Sequence, residues 1–551
     1  MSLQPQVFYL VPDDTARIAR AANPKGNVYL RMYDALGTIF ADHQFAALFP
    51  THGQPALAPV RLALATLMQF AEGLSDRQAA DAVRTRLDWK YLLCLELTDP
   101  GFHFSVLSAF RDRLIAGGQE HIFLDTVLEH CRNLGFLTTR GTQRTDSTHV
   151  LAAVRSLNRL ERVGETMRAA LNSLAVVAPT WLQERAPADW YDRYADRVEN
   201  YRLPKADTAR TALATWIGQD GRTLLAWIDD AAAPAYLRAI PAVETLRQVW
   251  IEQYTDPPDP PVLRSKATLP PSSQQITSPY DLDARYATKR SIDWVGYKVH
   301  LTETCDPELP SLITHVETTA ATLPDDQVVA TIHGALATRD LLPRKHLLDS
   351  GYTSATNLTD SLTRYGVDLV GPLAIDPSWQ AKAGKGFAKR DFRIDWDQQH
   401  VTCPAGVVSR SWLSNRDAQK DYSFIVRWAK RDCRDCAYRT HCTTRTNDEP
   451  RELLLMDRTR QEATERARVQ QTTASFARTY ALRAGIESTH AQAIRRCDLR
   501  NARYRGLAKT RFQHVLTATA LNLIRVGAWL ADTPRAPTRR SPFARLKPRS
   551  A

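Results

Sequence analysis

Apolar residues recur at spacings of three and four from about Asn23 to Arg132, the signature of amphipathic helices. Tyr29–Ala47, Pro59–Glu72 and Ser75–Thr85 all carry it. Gly73 closes one predicted helix, and Ser75 with Gln78 forms a capping box that opens the next. Short helices joined by tight turns suit a helix-turn-helix module and a plain helical bundle alike. Periodicity does not separate these readings; DNA contact is the one preferred here.

The pattern changes at Arg140. Residues Gly141 to Val150 are short, rich in Thr and Val, and follow a turn, which predicts a strand. Helical spacing returns from about Asn158 to Gln253. It ends in a Pro-rich connection at Asp256–Pro261 and Pro270-Pro271 that can form neither helix nor central strand. In Ile292–Thr304, Tyr297, Val299 and Leu301 alternate with Lys298, His300 and Thr302, predicting a half-buried strand. Further strands are expected at Ser311–Thr318 and Val367–Pro372, with helices at Pro324–Ala337 and from Ser354. The run His346–Asp349 is apolar up to a carboxylate, as in a buried strand whose carboxyl end faces a site. Residues 373–455 break the rhythm and lead into a long predicted helix from about Thr459 that carries Tyr480, Arg483 and Glu487.

At 551 residues the chain exceeds a single core, so two to four structural units are expected. A hydrophobic share of 44% with 24% charged residues is that of a globular protein. No apolar run reaches membrane-spanning length and Met1–Asp14 lacks a signal-peptide layout, so the expected location is the cytoplasm, at the nucleoid, with no membrane partner. The balance of 72 basic to 60 acidic residues, net +12, suits a polyanionic partner. Arg outnumbers Lys, which favours bidentate contacts to phosphate or guanine.

Three acids then stand out: Asp146 in Thr145–Thr148, Asp349 in Leu348–Tyr352, and Glu487 in the spacing Tyr480-x2-Arg483-x3-Glu487. Singly, each reads as a turn, a cap or half of a surface ion pair. Together they place two acids on or at the end of predicted strands and one on a later helix. Tyr480, Arg483 and Glu487 at i, i+3 and i+7 share a helical face. Gly485 beside them implies a close approach by another backbone or by DNA.

These segments resemble the Asp–Asp–Glu transposases of bacterial insertion sequences, the group with a Tyr-x2-Arg-x3-Glu-x6-Lys motif. The Lys of that motif is replaced here by Ile494, with Arg495 and Arg496 following. The resemblance implies an RNase H-like mixed sheet flanked by helices, an α/β core, with an all-α N-terminal domain. It implies that Asp146, Asp349 and Glu487 hold two Mg²⁺ (or Mn²⁺) ions, Asp146 bridging both. Two such ions about 4 Å apart activate the attacking oxygen and stabilise the leaving one, and hard cations of this kind take oxygen ligands. Arg483 and Arg495 would bind phosphate and Tyr480 the backbone beside it. Transposon ends and target would be the double-stranded DNA partners, a homodimer would form at synapsis, and a hairpin excision intermediate is expected.

Cys403, Cys433, Cys436 and Cys442 fall in one insertion, where four thiolates would suit structural zinc. Reduced cysteines packed in a small subdomain are the equal alternative, and His441 competes with Cys442. Cys94, Cys131, Cys305 and Cys497 are scattered and read as structural. Past Glu487, Arg495, Arg496, Arg500 and Arg503 form a basic run read as a phosphate track over a plain solvated face. The expected organisation is a DNA-end-binding helical domain at 1–135, the first part of the core at 136–372 with a helical insertion at about 156–285, the Cys-containing insertion at 373–455, the helical end of the core at 456–531 and a basic disordered tail at 532–551. Two other functions compete: a stand-alone endonuclease on the same scaffold, and a catalytically inactive DNA-binding regulator.

Overall fold

Local signals account for most of the N-terminal helices. The structure, a computed structural model, describes residues 2–534 and 542–546 apart from 4, 7, 8, 256, 258, 375, 377, 385, 416, 418–421, 446 and 448. Most of the basic tail and part of the Pro-rich connection therefore lie outside the described residues. Helix α1 (Val28–Leu36) is shorter than the periodicity predicts, because Gly37 adopts φ 62° and a 3-10 turn at Asp42–Leu48 follows. Helix α2 (Pro59–Glu72) stops at Gly73, which is left-handed at φ 71°. Helix α3 (Asp76–Thr85) opens on the expected capping box: Gln78 N donates to Ser75 Oγ, and Ser75 N donates to Gln78 Oε1. Helix α4 (Ile122–Asn133) lies at the end of this helical region.

Strand β1 (Thr142–Leu151) follows, then helices α5 (Arg159–Val177), α6 (Asp207–Asp229) and α7 (Pro241–Gln253). These three build their own core around Met167, Leu174, Leu224, Ile228 and Leu246. Gly221 lets α6 meet the Trp250 ring of α7 and Gly218 lets it meet the Tyr254 ring just beyond α7, where any Cβ would collide. The chain returns through β2 (Arg285–Lys289), β3 (Ile292–Thr304), β4 (Ile313–Ala320), α8 (Val329–Thr338), β5 (Lys345–Leu347), α9 (Ala355–Tyr365) and β6 (Asp368–Val370). Short antiparallel strands between 393 and 455 enclose Phe392, Val401, Val426, Trp428, Leu453 and Leu455.

The segment expected as one long helix from Thr459 is broken into α10 (Arg458–Gln470), α11 (Ala474–Ala481) and α12 (Gly485–Cys497), with a 3-10 turn at Leu482–Ala484. The first break is a capping event: Thr473 Oγ1 accepts from Phe476 N and starts a new helix. Helix α13 (Leu507–Leu530) ends the fold.

The main sheet is mixed. β3 is flanked by β1 on one side and by β2 and then β4 on the other, all antiparallel, whereas β1 pairs with β5 and β5 with β6 in parallel. β3 is not half-buried as its alternation suggests. Tyr297, Val299 and Leu301 enter the core shared with Phe123 and Phe512, but Lys298, His300 and Thr302 on the opposite face are buried as well. They are covered by polar groups, bonding to Asp325, Tyr352 and Thr145 respectively. Helices α1, α2 and α4 pack on α13, which also lies against β4, so the N-terminal helices and the sheet share a continuous core. No helix among the described residues is long and apolar enough to cross a membrane.

Candidate active site

Asp146 sits mid-strand on β1, opposite Leu301 of β3, and Asp349 lies two residues past the end of the neighbouring strand β5. Each carboxylate is fixed by a local backbone donor: Ser147 N to Asp146 Oδ1 at 2.8 Å and Gly351 N to Asp349 Oδ1 at 2.9 Å. One guanidinium nitrogen of Arg483 stands 3.1 Å from Asp146 Oδ2 and 3.8 Å from Asp349 Oδ2. The two acids therefore face a common positive charge. Burial pushes the Asp146 carboxyl above the usual range and Asp349 adds to this, against the opposing pull of Arg483, the Ser147 N–H and Lys289.

Glu487 is exposed on the first turn of α12. Its helix is nonetheless tied to the same strand, since His490, three residues on, approaches the Asp146 carbonyl at 3.3 Å. Tyr480, on α11, stacks on Phe476 at 5.5 Å and 15°. Burial and the two acids raise its phenol, and Arg483 opposes them. Of the basic run, Arg495 and Arg500 are exposed, the latter reaching Thr148 Oγ1. Arg496 and Arg503 donate to the carbonyls of Ala71 and Leu74 at the end of α2, and Arg503 also covers the Phe70 ring.

Several residues beside the acids carried no signal in the sequence. Asp325, just before α8, accepts from Lys298 Nζ at 2.6 Å and from Ser147 Oγ at 3.2 Å, with Lys289 3.5 Å away. Burial alone would raise its carboxyl, but Lys298 holds it below the usual range. A Cβ on Gly351 would lie 3.1 Å from Asp349 Oδ1 and 3.5 Å from Asp325 Oδ2, so a third acid borders the pair. Tyr352 is fully buried against His300, ring nitrogen to hydroxyl at 2.6 Å. Its only early hint was its place after Asp349-x-Gly351.

A second network positions the helix of Glu487. Glu303, fully buried at the end of β3, accepts from Arg144 of β1 at 2.6 Å, from Thr489 of α12 at 2.6 Å and from Arg525 of α13 at 2.9 Å. Arg144 also donates to the Leu482 carbonyl. The close approach that Gly485 implies comes from this guanidinium: a Cβ there would meet Arg144 Nη1 at 2.1 Å. Removing one partner of a buried ion network leaves the others desolvated and uncompensated. Glu303→Ala should therefore cost about 3–5 kcal/mol of stability, read as a shift of the first urea transition; a loss below about 1 kcal/mol would show that the two arginines find water instead. Gly485→Ala should cost roughly 1–3 kcal/mol through forced displacement. A crystal structure of that variant with Arg144 still on Glu303 would contradict the account.

Among the described residues, no group of three or more His, Cys, Asp or Glu side chains is arranged to hold a metal ion. Cys403, Cys433, Cys436 and Cys442 are free, partly buried thiols that line one cavity, while Cys94, Cys131, Cys305 and Cys497 are buried apart from them. His149 lies 5.6 Å from the Trp294 ring.

Residues 18–113 match the family model described as transposase domain (DUF772). Residues 402–527 match the model described as transposase DDE domain, a span that holds Tyr480, Arg483 and Glu487 but begins after Asp146 and Asp349. No curated protein and no solved structure matches the chain.

Proposed function

From the premise that this chain belongs to the insertion-sequence DDE transposases, we propose that it binds the terminal inverted repeats of its element, cleaves them, and joins the 3′-hydroxyl ends to target DNA. The observation that carries this reading is the pair Asp146 and Asp349, one on β1 and the other just past the end of the parallel neighbour β5, facing one cationic group. The strand order β4-β3-β1-β5-β6, three antiparallel strands continued by two parallel ones, with the short β2 added antiparallel along β3, supports an RNase H-like core.

Two carboxylates already opposed to a shared positive charge fit hard divalent cations. In this reading Asp146 and Asp349, joined by Glu487 from α12, hold Mg²⁺ or Mn²⁺. A bound pair of such ions supplies an activated oxygen nucleophile and stabilises the leaving oxygen in an in-line displacement. The remaining work belongs to side chains. Arg483 passes from the two acids to a phosphate oxygen beside the cut, a charge-assisted contact that orients the scissile bond. Tyr480 lies against the adjoining backbone, and Arg495 and Arg500 follow the duplex. Arg496 and Arg503 fix the N-terminal helices relative to α12, so that a helical end-binding region and the cutting site keep one geometry. A homodimer pairs the two ends, and excision runs by cut-and-paste through a hairpin.

The test is incubation of purified protein with duplexes carrying the element's ends, in Mg²⁺ or EDTA. Metal-dependent nicking at the ends followed by hairpin or joined products is expected. Nicking without joined products would instead mark a stand-alone endonuclease, and end binding without cleavage a regulator.

A further inference from the structure

We infer that Cys403, Cys433, Cys436 and Cys442 form a structural zinc site, independent of the acids and of the transposase reading. The four thiols come from separate pieces of chain. Cys403 follows the strand His400–Thr402, Cys433 lies in the short helix Lys430–Arg434, Cys436 just beyond it, and Cys442 ends the helix Arg439–Cys442. All four line the same cavity.

The backbone around them is shaped as metal-binding turns are. Cys403 N donates to Val407 O and Gly406 N returns to Cys403 O at 2.8 Å, with Gly406 at φ 83°, so residues 403–407 form a closed knuckle. Arg439 N bonds to Cys436 O, turning the chain from the second thiol pair toward Cys442. A zinc ion with four thiolates carries two negative charges; Arg439 and Arg451 line the same cavity, as does Asp432, which pairs with Arg431.

Energetics give the site a purpose. The core under these strands contains six buried side chains, too few for a stable unit of its own, and small cores of this kind are supplemented by metals or cross-links. As the side chains stand they do not form a closed ligand set, so binding requires the thiols to rotate onto a common centre while the turns stay in place. Tetrahedral sulfur ligation suits zinc or an iron–sulfur centre. The chemistry here commits to zinc, since the single Cys433-x2-Cys436 pair and two isolated cysteines match a closed structural site.

The test is metal analysis of the full-length protein purified without chelator. About one zinc per chain is expected, released stoichiometrically by a mercurial and tracked with a chromogenic zinc indicator. Cys433→Ser/Cys436→Ser should lose the zinc, and Asp146→Asn should keep it. Wild-type protein that is folded but zinc-free, with the four thiols reacting at once with a disulfide reagent, would overturn the site even if the double variant cannot be purified. So would zinc lost on Asp146→Asn, or a coloured iron–sulfur centre. Absence of DNA cleavage would leave the zinc result unaffected, so the two readings fail separately.

Discussion

Asp146→Asn, Asp349→Asn and Glu487→Gln should each lower strand cleavage on the order of 10³-fold or more, a loss of about 4 kcal/mol of transition-state stabilisation. The substitutions keep side-chain volume and remove only the charge that would hold a divalent cation. Asp146 makes the sharpest case. It is 16% exposed in its side chain and already half-compensated by Arg483, so Asn there has no reason to unfold β1. Asp325→Asn is the informative control, because its partners are Lys298, Lys289 and the Ser147 hydroxyl. It should lower activity far less and reduce stability through the abandoned Lys298. The measurement is single-turnover nicking of an end duplex alongside Mn²⁺ binding without DNA. If Glu487→Gln cuts normally while Asp325→Asn does not, the third acid of the site is Asp325, and Glu487 is an exposed helix residue.

The acids around the site differ in how legible they are in the sequence. In the sequence, Asp146 and Asp349 each follow a β-rich segment or an apolar run, and it is the resemblance to a family pattern that singles them out. Asp325 does not stand out. In sequence it is a first-turn acid after Pro324, an ordinary helix opening, and its meaning comes from Lys298 on a strand reached only by folding. Arg144, Glu303 and Arg525 are similarly unremarkable as letters, yet they meet where all three side chains are largely closed to solvent. Gly485 did announce a close approach; what approaches is a side chain from β1.

The fold shows the same division. The capping box at Ser75 and the stop at Gly73 depend on neighbouring residues, and both were legible. The breaks in the C-terminal helices depend on Thr473 winning a cap against continued periodicity, and a pattern of spacings passes over that competition. For β3 the alternation of apolar and polar residues was real, but its implied solvent face was not. His300 and Thr302 are buried because Tyr352 and Thr145 satisfy them. Polarity in a sequence signals exposure only when no partner arrives from elsewhere.

Those buried histidines lead to the second large effect, a loss of stability in mild acid. Burial lowers His300 and His333 to about 4 and His514 to about 3. His514 has one partner, Thr318, and His333 one, His346; neither has an acid placed to stabilise the imidazolium. In the unfolded chain each returns to about 6.5. Between those values the unfolded state binds more protons, so stability rises with pH and falls as pH drops. The contribution is complete above about pH 6.5, declines from there to about 4, and continues to about 3 for His514. Each group supplies on the order of 1 kcal/mol per pH unit within its window, roughly 3–4 kcal/mol per unit for the three together. Urea midpoints measured at pH 7, 6 and 5 should therefore fall with increasing steepness. His514→Gln should flatten the slope by about one group's share, whatever it does to stability at pH 7. A wild-type midpoint constant from pH 7 to 5 would mean that these rings take up protons in the folded chain, and that water reaches a face of the sheet which the packing of α8, α9 and α13 otherwise closes.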